Sequence, residues 1–268
     1  MQKYGILIFT SIILGIFTKA NAQIISIDKI DTSGYKKDAK FDLVFGSGLE
    51  VDKQKTTIYD ATNTLDATLQ KEKELLILSS SFRFTYNGPD DILNIGFVHL
   101  RFRHNYKNKL HPESYLQYQW DNKRGIENRS VGGANIRWNN YLHPRFNLVL
   151  ATGLMYEQER WNYTAVPDSI NIPKDSRAIE TQYIKSNSYI KFEIKTSENS
   201  DLFFTTFLQT RPDHYFIYPR IANVLKWDVN ITKHVGIEFN FNSIYDTQPV
   251  VPISKFYFSF SESITFKI

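Results

Sequence analysis

Cysteine is absent from the 268 residues of the chain. Disulfides, thiol nucleophiles, thiolate metal sites and lipid attachment through a cysteine are therefore excluded. Net charge is also small: the formal charge is +4, and removing the two lysines of the first 22 residues, which carry no acid, leaves +2. Nucleic-acid-binding domains concentrate far more positive charge, so we expect no nucleic-acid partner.

Long apolar runs are scarce as well, and only one stands out. Tyr4–Thr18 is apolar or hydroxylated throughout, follows Lys3 and precedes the small-x-small sequence Ala20–Ala22. A membrane-spanning helix needs about 20 apolar residues, whereas a shorter run with these flanks is typical of a secretory signal peptide. We predict a signal peptide over residues 1–22 and a periplasmic N-terminal segment over 23–39; the alternative is an uncleaved anchor.

Aromatic residues, by contrast, are abundant. They make up 15% of the chain, with 20 Phe and 16 Tyr, yet the mean hydropathy is only −0.36. A membrane β-barrel reconciles the two values, because each strand carries apolar and aromatic residues on one face and polar residues on the other.

The pattern beyond residue 39 has a period of two, as in a β-strand. Near the end, for example, Phe256, Phe258 and Phe260 alternate with Ser259 and Ser261. About twelve such segments follow one another, most of them with the ten or so residues that a tilted strand needs to cross a bilayer. They are 40–52, 55–69, 74–87, 91–106, 110–121, 126–140, 145–160, 180–195, 201–211, 220–231, 234–245 and 255–268.

These segments predict an all-β fold: a transmembrane, antiparallel, up-and-down β-barrel of about twelve strands over residues 40–268. The even count places both termini on the periplasmic side, and the three longest connections then fall together at the outer end, as in bacterial barrels. The alternative is a soluble β-sandwich or lipocalin-like barrel with one wet face. Strand length argues against it, since five or six residues are typical of sandwich strands.

Aromatic residues near the strand ends fit interfacial girdles of such a barrel. The candidates are Tyr86, Tyr106, Trp120, Trp138, Tyr141 and Trp161.

Five short motifs follow one another along the chain. They are Gly96–Arg103, Glu113–Gln119, Gly132–Arg137, Gly153–Glu159 and Tyr245–Pro249. Their order and spacing resemble the outer-membrane barrel family catalogued as domain of unknown function 481, best known under the name salt-induced outer membrane protein. The resemblance covers nearly the whole chain after the signal peptide. It implies an outer-membrane barrel with no established enzymatic activity, cofactor or substrate.

The sequence departs from that family at two places. Pro249 is followed by Val250 and Val251 where a Pro-Pro pair is usual, and the glycine strand of the family, usually rich in arginine, reads Val131–Ala134. These changes bear on loop-specific roles and leave the expected fold unchanged.

The sequence offers no catalytic constellation. A serine hydrolase needs a nucleophile within hydrogen-bond reach of a base, but Ser114 and His111 have opposite strand parity. The six histidines do not pair at metal-ligand spacing. We therefore expect no enzyme, metal or cofactor. Two alternatives stay open: an outer-membrane lipid hydrolase and a soluble periplasmic binding module.

Charged residues gather on the strand face opposite the apolar one, which would line the lumen. They are Arg83, Arg101, Arg103, Glu113, Glu127, Arg129, Arg137, Glu157, Glu159, Glu193 and Glu238. One interpretation is a structural network, because buried charges must be paired; the other is a charged path for a small solute. Small barrels fill with side chains and large ones hold channels, and twelve strands lie between. We favour the structural network.

The predicted location is the outer membrane of a Gram-negative bacterium. The expected partners are outer-membrane lipids, lipopolysaccharide and the barrel assembly machinery. The sequence leaves the solute and the oligomeric state open.

Overall fold

The computed structural model describes residues 40–53, 56–88, 90–172, 177–214, 218–232 and 235–266. The predicted signal peptide, 1–22, and the predicted periplasmic segment, 23–39, lie outside the described residues. Within the described residues, no helix combines the length and the hydropathy required to cross a membrane.

Twelve β-strands contain most of the described residues. Their bounds are β1 Lys40–Lys53, β2 Thr57–Lys71, β3 Glu74–Asn87, β4 Asp90–His104, β5 Leu110–Asp121, β6 Ile126–His143, β7 Phe146–Trp161, β8 Ile179–Ser197, β9 Ser200–Thr210, β10 Arg220–Asn230, β11 Val235–Asp246 and β12 Phe256–Phe266. Each of the twelve predicted segments forms one strand, with ends displaced by three residues at most. The prediction of an all-β fold with about twelve strands is confirmed.

The strands lie in chain order in a single sheet, and neighbouring strands are antiparallel. The predicted up-and-down topology is therefore confirmed. In the described part of the chain, β1 pairs with β2 alone and β12 pairs with β11 alone.

The sheet curls into a barrel, so strands far apart in the sheet meet across the lumen. The Asn187 amide on β8 donates to the Tyr115 hydroxyl on β5 at 2.7 Å. The Arg124 guanidinium lies 4.9 Å from the centre of the Tyr257 ring on β12. A flat sheet of the same order would separate each of these pairs by several strands.

The two faces of the sheet have opposite chemistry because successive side chains of a strand point to opposite faces. On β5, Glu113 is 1% exposed and faces inward, whereas Leu116 is 62% exposed and faces outward. Most of the large exposed hydrophobic side chains lie on the outward face, and the buried ionised groups lie on the inward face. A water-soluble protein has the opposite arrangement, with most of its large apolar side chains buried and its ionised groups exposed.

The connections differ between the two ends of the barrel. Residues 162–178, 211–219 and 247–255 connect strands at one end, called here the loop end. Short turns such as 72–73 and 198–199 connect them at the other, called here the turn end. The three longest connections thus share one end, as the sequence predicts.

Candidate functional site

Inward-facing side chains fill the lumen on the β4–β10 side in three layers, from the loop end to the turn end. The apolar cap consists of Ile126, Trp161, Val166, Val251 and Ile253. The upper ion cluster consists of Arg129, Glu157, Glu159, Lys185, Arg220 and Asp246. The lower ion cluster consists of Arg101, Arg103, Glu113, Arg137 and Tyr189.

The apolar cap encloses the indole ring of Trp161 at the loop end, and this ring is 0% exposed. Val166 comes from the β7–β8 connection and Val251 from the β11–β12 connection, so two loops fold inward to meet it. Beneath them, the Arg124 guanidinium lies 5.9 Å from the centre of the Trp161 ring. Burial lowers the pKa of Arg124, although a guanidinium stays protonated at neutral pH.

Gly125 permits the close approach of the β7–β8 connection. It has a φ of 75°, which favours glycine. Its carbonyl oxygen accepts a hydrogen bond from the Asn162 backbone N–H at 2.8 Å. A Cβ atom at this position would lie 2.7 Å from the Asn162 carbonyl oxygen. The glycine therefore sets the point at which the loop turns inward.

The upper ion cluster joins β6, β7, β8, β10 and β11. Arg220 Nη1 lies 3.0 Å from Glu157 and 2.9 Å from Glu159, and its Nε lies 2.8 Å from Asp246. Arg129 Nε donates to Glu157 at 2.7 Å. Lys185 forms a further ion pair with Glu157. Three carboxylates and three cations thus balance one another, and each of their residues is at most 8% exposed.

The lower ion cluster is centred on Glu113, nearer the turn end. Its Oε2 accepts from Arg103 Nε at 2.8 Å, and Arg101 and Arg137 lie 3.7 and 3.8 Å away. The Tyr189 hydroxyl donates to Glu113 at 3.1 Å and accepts from Arg137 at 2.8 Å. One carboxylate therefore links β4, β5, β6 and β8.

The two clusters are separated by a cavity of only about 30 Å³. Its lining includes His99, Gln117 and Gln209. A single water needs roughly 10–15 Å³ of such volume, so the cavity holds no more than a few waters. Between the two clusters the lumen is packed, whereas a cavity of about 700 Å³ lined by Asn147, Glu193 and Phe203 lies near the turn end.

Burial makes the upper ion cluster, in which the charges balance, sensitive to the loss of any one member. Removing one partner of a buried ion pair leaves an uncompensated charge and costs about 3–5 kcal/mol. The arrangement is therefore suited to holding strands in register.

A family model described as "Protein of unknown function, DUF481" matches residues 60–252, most of the chain. The chain belongs to the DUF481 family. This confirms the resemblance drawn from the sequence motifs. No curated protein matches the sequence.

Among solved structures, the DUF481 chain is similar to one described as "NanC porin structure in rhombohedral crystal form". The identity is 10% and the TM-score 0.44, and the match covers 84% of this chain and 99% of that one.

The structure brings most of the predicted lumen residues of the DUF481 chain together. Three of the predicted residues pair elsewhere on the inward face. Glu193 lies 2.5 Å from Lys191 near the turn end. Arg83 lies 2.8 Å from Asp60 and Glu238 lies 2.8 Å from Lys226.

Glu127 differs from the prediction. The pairing of β6 with β7 shifts by one residue between Ile126 and Asn128, and this irregularity breaks the alternation on which the prediction relied. Glu127 is exposed, and its carboxylate lies 2.7 Å from Arg160 Nε. It takes no part in either ion cluster.

Sequence reasoning missed Arg220 and Asp246, which complete the upper ion cluster. Arg220 is the first residue of β10 and Asp246 the last of β11, and the two are direct cross-strand partners. The sequence signal that could have found Arg220 is strand parity. Arg220 and Ala222 are two positions apart on β10 and therefore lie on the same face, and Ala222 is buried. Asp246 was assigned to a loop by the sequence, and only the observed end of β11 places it on the inward face.

The predicted girdle aromatics divide into two groups. Tyr86 and Tyr141 are exposed, at 38% and 55%, while Trp120 and Trp138 are half-buried on the outward face. Trp161 and Tyr106 are corrections. Trp161 belongs to the apolar cap, and Tyr106 packs inside against Leu75 and Ile77.

No hydrolase site arises from the candidate pair. Ser114 is exposed on the outward face, whereas His111 is buried on the inward face, with Nδ1 2.9 Å from the Asn108 carbonyl oxygen. Among the described residues, no three His, Asp or Glu side chains converge in a metal-binding arrangement.

Proposed function

We propose that this protein is a non-enzymatic outer-membrane β-barrel that serves the structure of the envelope and keeps its lumen closed. The observation that carries the proposal is the inversion of its two faces. Leu154 and Ile184 are 58% and 62% exposed on the outward face, while Glu157 and Arg137 are 1% and 0% exposed inside. Contact with hydrocarbon stabilises the apolar side chains on the outward face. Ion pairing in a closed interior stabilises the buried charged side chains.

The exposed hydrophobic side chains are too widely distributed for a protein in water. Soluble monomers rarely expose apolar patches larger than a few hundred Å². Here exposed apolar side chains occur on the outward face from β1, with Phe45, to β12, with Phe258. This distribution favours a lipid-facing surface over the soluble periplasmic module. Its surroundings would be outer-membrane lipids and lipopolysaccharide, reached through the barrel assembly machinery.

Three features support a closed lumen. On the β4–β10 side the apolar cap lies at the loop end, the two ion clusters lie below it, and the cavity between the clusters admits only a few waters. These features agree with the structural interpretation of the charges. The separation of Ser114 from His111 argues against the lipid hydrolase.

One observation favours a narrow solute passage as the second candidate. The inward face in the middle of β2 and β3 lacks the dense packing of β4–β10: Thr64 is exposed and Thr62 and Ser81 are half-buried, although Thr68 and Ile77 nearer the turn end are buried. The Arg83–Asp60 ion pair on the same strands is also about one-fifth exposed. A hydroxyl-lined space on this side would suit a small neutral solute.

Two measurements test the proposal. Refolded or membrane-extracted protein should migrate differently in detergent gels before and after boiling, and fractionation should recover it in the outer membrane. In planar bilayers the wild-type protein should give no conductance. Steady conductance steps would contradict the closed barrel and support the narrow solute passage instead. Recovery of the protein in the osmotic-shock fluid would contradict both.

A further inference from the structure

A groove of about 640 Å³ lies on the outward face where β5–β9 pair. Its volume falls within the range of about 300–1,000 Å³ that is usual for small-molecule sites. The groove follows two adjacent rows of direct cross-strand partners. One row is Leu110, Trp138, Leu150, Ile190 and Thr206, and the other is Ile136, Thr152, Ser188 and Leu208.

The chemistry of the groove suits an apolar chain. Short side chains, those of Thr152 and Ser188, occupy its middle, and their hydroxyls lie 2.8 Å apart and bind each other. Longer apolar side chains line it on both sides of this pair, among them Ile136, Leu150 and Leu208. The difference in side-chain length makes a recess in the outward face.

The groove runs from the turn end toward the middle of the sheet. Leu110, at its lower end, is the first residue of β5, next to the β4–β5 turn. Thr206, at its other end, is the seventh of the eleven residues of β9. An acyl chain that entered at the turn end would therefore extend along the groove into the bilayer.

Trp138 lines the groove near its lower end. It lies on the outward face and is half-buried. Tryptophan is enriched at the level of the lipid headgroups, because its ring is apolar and its N–H is polar. The lower end of the groove therefore lies at headgroup level.

Two turns beside this end of the groove carry positive charge alone. Residues 105–112 and 138–147 contain no aspartate or glutamate, but they include Lys107, Lys109 and Arg145. The backbone N–H of Asn139 donates to the Lys109 carbonyl oxygen at 2.7 Å, which places Lys109 next to Trp138 in the fold. Lys109 and Arg145 are exposed, and neither side chain forms an ion pair within the described part of the chain.

Turns elsewhere at the turn end have mixed charge. The β2–β3 turn places Glu72 and Glu74 beside Lys71 and Lys73, and the β8–β9 turn contains Glu198. The unbalanced positive charge is thus concentrated beside the groove. Basic clusters next to apolar surfaces of membrane proteins attract anionic lipid headgroups.

We propose that this groove and the two basic turns form a binding site for one anionic phospholipid of the periplasmic leaflet. The inference rests on the proposed membrane location, which puts the short turns on the periplasmic side. The phosphate binds Lys109 and Arg145, whose long side chains reach the headgroups from the rim, and an acyl chain lies along Leu110, Leu150 and Leu208.

Quenching of a single tryptophan tests the site, because Trp138 lines it. The variant keeps Trp138 and replaces the other three Trp with Phe, and it is refolded into vesicles that contain brominated phosphatidylglycerol or, at the same mole fraction, brominated phosphatidylcholine. Phosphatidylglycerol should associate several-fold more strongly, and high salt should reduce this preference. The variant that keeps Trp227, exposed on β10 outside the groove, should respond equally to both lipids.

Two further changes separate the charge from the groove. In the Trp138 background, Lys109→Gln with Arg145→Gln should remove the preference, and the matched control Lys71→Gln with Lys73→Gln should keep it. Ser188→Phe fills the groove and should also reduce the preference, although it leaves every cation in place.

Equal quenching by the two lipids at Trp138 would show non-selective surrounding lipid only and would overturn the site. The same preference at Trp227, or a preference that survives K109Q/R145Q or S188F, would overturn it as well. Heat-modifiable mobility is measured for each variant. Failure of the wild-type protein to enter vesicles in heat-modifiable form would instead contradict the proposed function.

Discussion

Arg220 Nη1 on β10 lies 3.0 Å from a carboxylate oxygen of Glu157 on β7. The two strands are separated by β8 and β9 in the sheet, so this ion pair spans the lumen. Because Arg220 also binds Glu159 and Asp246, one guanidinium joins three carboxylates that would otherwise repel one another in a dry interior.

Replacing Arg220 with Met should therefore strongly destabilise the barrel. The three carboxylates would stay buried with one fewer cation, at a cost of about 3–5 kcal/mol. The measurement is the temperature at which heat-modifiable mobility is lost, or the free energy of unfolding in urea from vesicles.

The control for this change is Arg160→Met. Arg160 also binds two carboxylates, those of Glu127 and Glu180, but its side chain is 48% exposed. Exposed pairs contribute about 0–1 kcal/mol. Equal stability losses in the two variants would show that the upper ion cluster is not a buried, mutually dependent set.

The inward position of Trp161 predicts a distinct fluorescence response. The chain has four Trp, so variants that keep one and replace the others with Phe report on single positions. In vesicles of brominated lipid, the variant that keeps Trp161 should resist quenching because the ring is enclosed by the apolar cap. The variant that keeps Trp227, exposed on the outward face, should be quenched. Similar quenching of both would place Trp161 at the lipid surface.

Gly153 should tolerate no side chain. A Cβ atom there would lie 2.0 Å from the Ala134 carbonyl oxygen on the neighbouring strand, and backbone atoms of a paired strand cannot move aside easily. Overpacking of this kind costs about 1–3 kcal/mol or more. Gly153→Ala should lower the folding yield and the unfolding temperature.

Gly48→Ala is the matched control, because no atom lies within 4 Å of a Cβ atom at that position. Removing a strand glycine there should be neutral or slightly stabilising. If G153A unfolds at the same temperature as G48A, then β6 and β7 do not approach each other closely at Gly153.

Thiol accessibility should differ between the two sides of the lumen. Thr64, on the inward face of β2, is exposed, whereas Asn135, on the inward face of β6, is 3% exposed. A small water-soluble thiol reagent should modify Thr64→Cys in the folded protein and leave Asn135→Cys unmodified until unfolding. Rapid modification of Asn135→Cys would reveal water in the region assigned to packed ion clusters.

Sequence parity correctly placed the residues whose strands are regular. Glu113, Arg137 and Glu157 were predicted to face inward and are buried there, because each step along a pleated strand reverses the side-chain direction. Parity failed for Glu127, where the register of β6 and β7 shifts. A register shift depends on the partner strand as well as on the local sequence.

The sequence did not predict the enclosed position of Trp161, because that position depends on two loops. Trp161 ends β7 beside a long connection, which on the sequence suggests an interfacial aromatic. It is enclosed because Val166 and Val251, from two loops far apart in the chain, fold over it. Neither loop has a local sequence pattern that predicts this contact, because the residues that meet are separated by more than eighty positions in the chain.

The alternation of apolar and polar residues by itself determined twelve strands, their order and the two faces of the sheet, because these depend only on the pleat and on short connections. Tertiary structure alone decided which charges meet across the lumen and which loops enclose Trp161. Those contacts depend on the curl and register of the whole sheet, which bring together side chains that no sequence spacing relates.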